Sequence, residues 1–204
     1  MIRIDGDGAL GDLDSFFRAV PQTAAEAMRI AINDTASKGG MRLIKDAMTG
    51  EIEFPSGYLT NDKIGVTKRA TNSSLEATIT GRKRATSLAR FASGSPGGRQ
   101  SGVTVRVQRG RSSFMRGAFL VRLNQGASLS EDKYNVGLAV RLRPGEKLNK
   151  KTQHQSWLVK DKVALLYAPS VDQVFGQIID QVEEPIGELV AREFYRQFAR
   201  LSNG

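Results

Sequence analysis

The side chains grouped closely enough to do chemistry are mostly cationic. Arg82-Lys83-Arg84 and Arg109-Gly110-Arg111 sit in turn-like sequence, with Arg99 in the flexible stretch that separates them. Clustered guanidinium and ammonium groups neutralise phosphates without reading bases, and they serve equally well against carboxylates on another protein surface. Aromatic rings that could stack on bases are not interleaved with these cations, apart from Phe91 and Phe114. The matching anionic group is Glu183-Glu184 with Glu188, spaced to fall on the exposed side of a helix.

Catalytic constellations are not apparent. The chain has no cysteine, which removes thiolate chemistry and disulfides. Its one histidine, His154, lies in the polar run Asn149-Lys-Lys-Thr-Gln-His-Gln155 and reads as a solvated loop residue. A zinc site or a histidine-based triad needs partners that this neighbourhood lacks. Gly94-Ser-Pro-Gly-Gly98 is glycine-rich, but no G-K-[ST] follows and no helix starts behind it to hold a phosphate. It reads as a flexible loop. The expectation is a protein that is no enzyme, with no catalytic, metal or cofactor-binding residue and no cofactor.

At 204 residues, 40% hydrophobic and 25% charged, the chain can build a real core, and a single domain over 1–204 is expected. The net charge of +9 is unevenly placed. Between Lys63 and Arg122 thirteen basic residues face the single acid Glu76, giving +12, whereas the segment from Ser170 onward sums to −3. A basic middle and an acidic end suit a polyanion or a second copy met head to tail. No apolar run is long enough to cross a membrane and no signal-peptide pattern opens the chain, so no membrane partner is expected.

The elements that must carry these groups begin with residues 1–50, read as helical. Leu13, Phe16, Phe17 and Val20 make a short amphipathic piece; Pro21 then starts a longer helix with Ala24, Ala27, Met28, Ala31, Ile32, Ala36, Met41, Ile44 and Met48 on one face. Gly39-Gly40 is its weak point. At the other end, 169–202 is a helix with a stripe from Val171, Val174, Phe175 and Ile178 through Val182, Ile186, Val190 and Phe194 to Leu201. Ser170 and Gln173 form a capping box at its start, and Pro185 predicts a kink.

Between the helices, 62–143 reads as β-rich with long basic loops. Ile64 and Val66 pair as a hairpin with Leu75, Ala77 and Ile79; Leu88, Phe91 and Ala92 form an apolar patch. Val103, Val105 and Val107 alternate with Thr104, Arg106 and Gln108, Gly117–Leu123 is the candidate central strand, and Leu138, Val140 and Leu142 alternate with Ala139, Arg141 and Arg143. The stretches 124–132 and 144–168 read as polar loops, the latter including Trp157. The fold class is α+β: an antiparallel sheet packed on a long N-terminal helix and a long kinked C-terminal helix, its other face polar, with extended basic loops. The segment Arg90–Arg116 is expected to become ordered only in an assembly.

Three segments resemble a known family. Ala31-Ile-Asn-Asp-Thr-Ala36 is similar to the A-I-N-x-x-A stretch of the tailed-phage minor tail protein Z family, the tail completion proteins of lambda-like phages. Met115-Arg-Gly-Ala-Phe119 resembles its G-A-F segment, and Tyr167-Ala-Pro-Ser-Val171 with Phe175 resembles its apolar-proline lead into a final amphipathic helix. The anchors follow the family's order over about two-thirds of the chain, while the stretch from Asn124 to Lys162 is longer and more polar than the family pattern. The resemblance implies a structural virion protein that completes the tail or joins head to tail. It implies a homo-oligomeric ring, read as sixfold, around the DNA path near the neck or upper tail. Neighbouring tail and neck proteins would be partners, with nonspecific DNA contact and a host-cytoplasmic stage during assembly. Arg82, Lys83, Arg84, Arg99, Arg109 and Arg111 become candidates for a subunit-facing or DNA-facing surface, opposite Glu183, Glu184 and Glu188. The alternative is a small nonspecific nucleic-acid-binding protein using the same basic loops.

Overall fold

In the computed structural model, residues 2–5, 18–94, 101–123, 135–142, 158–159 and 163–203 are described. The chain is α+β, as its patterns predict, and it forms two compact units where one domain is expected from length. The first comprises residues 1–50, 57–83 and 171–204; the second comprises 51–56 and 84–170.

The first unit holds the helices. Helix α1 (Pro21–Ser37) opens with Pro21 in its first turn, where a missing N–H costs nothing. Helix α2 (Gly39–Glu51) follows after a break at Lys38, so the bend falls where the glycine pair weakens the helix. A Cβ on Gly40 would lie 2.8 Å from the Thr35 carbonyl oxygen, so glycine is what lets the turns close up there. The apolar positions from Ala24 to Met48 that define the predicted face are all buried. They share the core with α3 (Val171–Gln177) and α4 (Ile179–Ser202), where Val171, Val174, Phe175, Ile178, Val182, Ile186, Val190 and Phe194 are buried. Helix α1 packs along α4, its alanines allowing close approach.

The final helix is interrupted ahead of Pro185. The interruption is at Ile178 (φ −100, ψ 2), bridged by the tighter bonds from Ile178 N to Phe175 O and from Gln181 N to Ile178 O, 3.3 and 3.1 Å. Pro185 lies within α4, which continues past it to Ser202. Burial of Val171, Val174, Phe175 and Ile178 on one side and Val182 and Ile186 beyond it holds both pieces to the same core.

A three-stranded antiparallel sheet completes this unit in the order β1 (Ile2–Asp5), β3 (Glu76–Gly81), β2 (Ile64–Lys68). The β2–β3 hairpin is as predicted, with Ile79 opposite Val66. Strand β1 corrects the helical reading of the first residues: Ile2 pairs with Ile79 and Asp5 with Glu76. Leu13, Phe16 and Phe17 lie outside the described residues. At the end of β3, a Cβ on Gly81 would come within 2.8 Å of Asp172 Cα, so the strand and the start of α3 touch backbone to backbone.

In the second unit the expected single sheet is replaced by two. Five strands comprise β4 (Ala85–Ser87), β10 (Val163–Ser170), β8 (Asn135–Arg141) and β7 (Ala118–Leu123) in that order, with β9 (Leu158–Val159) also on β10. Strand β7, expected to be central, is terminal in this order, pairing with β8; only Ala118 along it is buried. The central place belongs to β10, in sequence assigned to a polar loop ending at 168. Val163, Ala164, Leu165 and Ala168 are buried, and β10 is flanked on both edges. Register slips between Ala168 and Ser170, around Pro169, which has no N–H to give the ladder. The alternation in β8 is also corrected: Leu138 and Ala139 are both buried, because both sheet faces are covered there.

The remaining pair, β5 (Gly102–Val105) and β6 (Ser113–Arg116), is an antiparallel hairpin. Segment 51–53 runs against its base, with Glu53 N to Val107 O 2.8 Å and Arg109 N to Glu51 O 3.0 Å. Phe54 and Phe91 meet nearby at 5.9 Å between ring centroids. Of the segment Arg90–Arg116, residues 95–100 lie outside the described residues, and 101–116 include this hairpin. No helix among the described residues is long and apolar enough to cross a membrane.

Candidate functional site

The cationic turn 82–84 separates into residues with different duties. Arg82 is half-buried in the first unit: its Nη2 donates to Tyr58 Oη at 2.6 Å, and its guanidinium stands 5.9 Å from the Tyr58 ring centroid. Its backbone is used on both sides, with N–H to Lys63 O at 2.7 Å and its carbonyl accepting from Asp172 N at 3.2 Å. Lys63 is buried and lies 5.7 Å from the same ring, its ammonium paired to Asp62. The Lys63 ammonium first, and the Thr60 hydroxyl second, hold the Asp62 carboxyl down to about 2. Arg82 therefore braces the end of β3 from within. Lys83 and Arg84 are exposed.

In the second unit Arg109 and Arg111 are exposed on the turn joining β5 to β6, where Gly110 takes a positive φ of 74°. Arg99 and His154 lie outside the described residues. Sequence reading passed over what the hairpin adds. Cross-strand register pairs Thr104 with Phe114 and Gly102 with Arg116, which puts these side chains on one face, while Val103 and Val105 are buried on the other. Phe114 is 58% exposed although its ring lies over Gly102, where an added Cβ would meet Cζ at 2.6 Å. Arg106 and Arg116 are exposed too. Ser113-Phe-Met-Arg116 shows no alternation in sequence, so this strand is visible only in the structure. Phe91, the other ring among the basic residues, is buried.

On α4, Asp180, Glu183, Glu184 and Glu188 are all exposed. Steps of three and four set them along one stripe, and within the described residues of their unit none is in an ion pair. Glu193 differs. Arg196 Nε donates to it at 2.9 Å and Gln197 Nε2 at 2.7 Å, and the Arg196 bond is the main reason its carboxyl is held below the usual range.

The anchor residues of the family resemblance have structural work of their own. Asn33 on α1 bonds both backbone groups of Ala70. Gly117, between β6 and β7, has φ 74°, a conformation that other residues adopt at a cost. Pro169 sits at the β10 irregularity. Among the described residues no group of three His, Asp or Glu side chains could hold a metal ion. No family model, no curated protein and no solved structure matches the chain.

Proposed function

We propose that the chain is a structural virion protein of a tailed bacteriophage. It completes the tail or joins it to the head, acting by assembly into a ring around the DNA path, without catalysis. The observation that carries this reading is the exposed acidic stripe of α4 in a chain whose second unit presents exposed arginines. Opposite charges on separate surfaces of one chain favour a heterologous contact, the kind that closes into a ring by rotation. The three ordered anchors of the tail-completion family supply the biological setting.

Phe114, standing exposed among arginines, favours the second reading, a nonspecific nucleic-acid-binding protein. Light scattering of the native protein across salt concentrations, with and without duplex DNA, separates the two. A discrete oligomer several times the chain mass of 22.3 kDa, indifferent to DNA, supports the tail reading. A monomer that binds any DNA, with affinity falling steeply as salt rises, overturns it.

A further inference from the structure

We infer that the outer face of the β5–β6 hairpin docks on the acidic stripe of α4 in a second copy of this chain. The inference rests on the assembly reading and names the two surfaces that meet.

The hairpin supplies the basic half. Arg106, Arg111 and Arg116 are exposed, and within the described residues of their unit they have no ion-pair partner. From Ala77 to Ser130 the sequence contains no Asp or Glu, and the acids beside the hairpin are Glu51 and Glu53, at its base. Phe114 lies on the same face as Arg116. An exposed ring fixed by its glycine neighbour loses little freedom on docking, which suits an interface anchor. Strand β6 pairs with β5 and with no other strand among the described residues.

Helix α4 supplies the acidic half. Asp180, Glu184 and Glu188 stand four apart, an arrangement of like charges that weakens an isolated helix. Within their unit these acids gain no described cation, so the stripe costs the helix without return until a basic surface covers it. The stripe runs about 12 Å from Asp180 to Glu188. Arg106 lies four residues beyond Gly102, the partner of Arg116, so these two arginines are separated by about 13 Å along the hairpin. Long arginine and glutamate side chains span the difference. A polyanion would satisfy the hairpin but leaves the stripe unexplained. A second copy satisfies both.

The test uses two full-length variants, R106E/R111E/R116E and E183K/E184K/E188K, with folding checked by circular dichroism because every altered residue is exposed. Each alone sets like charges against each other, and its assembled fraction should fall at least about tenfold relative to the unaltered chain. Mixed in equal amounts they should reassemble, because the reversed hairpin of one fits the reversed helix of the other in alternation. F114A should weaken assembly without unfolding. If the unaltered chain assembles and both triple variants assemble equally well, or the mixture stays dissociated, the inference is wrong while assembly stands. A hairpin variant that loses only DNA binding gives that face to nucleic acid instead. If the unaltered chain never assembles, the assembly reading falls first and takes this contact with it.

Discussion

The side-chain amide of Asn33 is bonded at both ends to the backbone of Ala70: Nδ2 donates to the Ala70 carbonyl at 3.0 Å, and Oδ1 accepts from the Ala70 N–H at 2.9 Å. One α1 side chain thereby satisfies a buried residue just past β2, where the ladder has ended. Asn33→Ala should destabilise the chain by roughly 1–3 kcal/mol, because the Ala70 groups are left without partners. Asn33→Asp should be no better, since a carboxylate cannot donate to the Ala70 carbonyl. Denaturant unfolding checks both; a loss below about 0.5 kcal/mol in each would remove Asn33 from this role.

Arg82 and its neighbours Lys83 and Arg84 should respond differently to substitution. Tyr58→Phe removes the hydroxyl that accepts from Arg82 Nη2 and should cost about 1.5–3 kcal/mol, the range for bonds to charged groups. Lys83→Ala and Arg84→Ala should leave stability within about 0.5 kcal/mol. Thermal unfolding of the three variants side by side tests the division; equal losses at all three would contradict it.

Asp62 gives a pH signature. Its folded value of about 2 lies below the usual 3.8, so its contribution to stability is complete above about 3.8 and disappears as pH falls through 2. The Asp62 carboxyl should titrate near pH 2 by NMR, and Asp62→Asn should flatten the acid limb of stability between pH 4 and 2. A midpoint near the ordinary aspartate value would show that the Lys63 and Thr60 bonds are absent in solution.

Glu184 should behave oppositely in the free and assembled protein. It lies four residues from both Asp180 and Glu188, so Glu184→Gln relieves two like-charge pairs and should stabilise the isolated chain by about 0.2–0.5 kcal/mol per pair at low salt. The same change should weaken assembly. Unfolding curves below the assembly concentration, set against light scattering above it, read both signs. Destabilisation of the monomer would mean that the stripe is already compensated within one chain.

The helices were legible because one period governs them: the faces from Ala24 to Met48 and from Val171 to Phe194 are the buried faces. The β2–β3 hairpin was legible for the same reason, with strict alternation from Leu75 to Ile79. The centre of the larger sheet was not. Leu165-Leu-Tyr-Ala-Pro is short and covered on both sides, so it shows no alternation, and it runs straight into a helix whose stripe claims it. Strand β1 was missed because four residues carry too little pattern. Of the candidate site, Lys83, Arg84, Arg109, Arg111 and the three glutamates are exposed as charge predicts, whereas Arg82 could be separated from its neighbours only by a contact with Tyr58, distant in sequence.

The first unit is built from three stretches of chain, and the whole second unit lies between Lys83 and Val171 apart from its 51–56 strap. Order of synthesis then matters. At translation rates of about 5–20 residues per second, α1 waits roughly 8–30 seconds for α4, the helix it packs along, to be made. Throughout that interval Met28 and Ile32, fully buried in the finished protein, have no helix to lie against. The second unit can finish folding in the meantime, so the nascent chain is half native and half adhesive, and its yield in a crowded cell depends on how that interval is shielded.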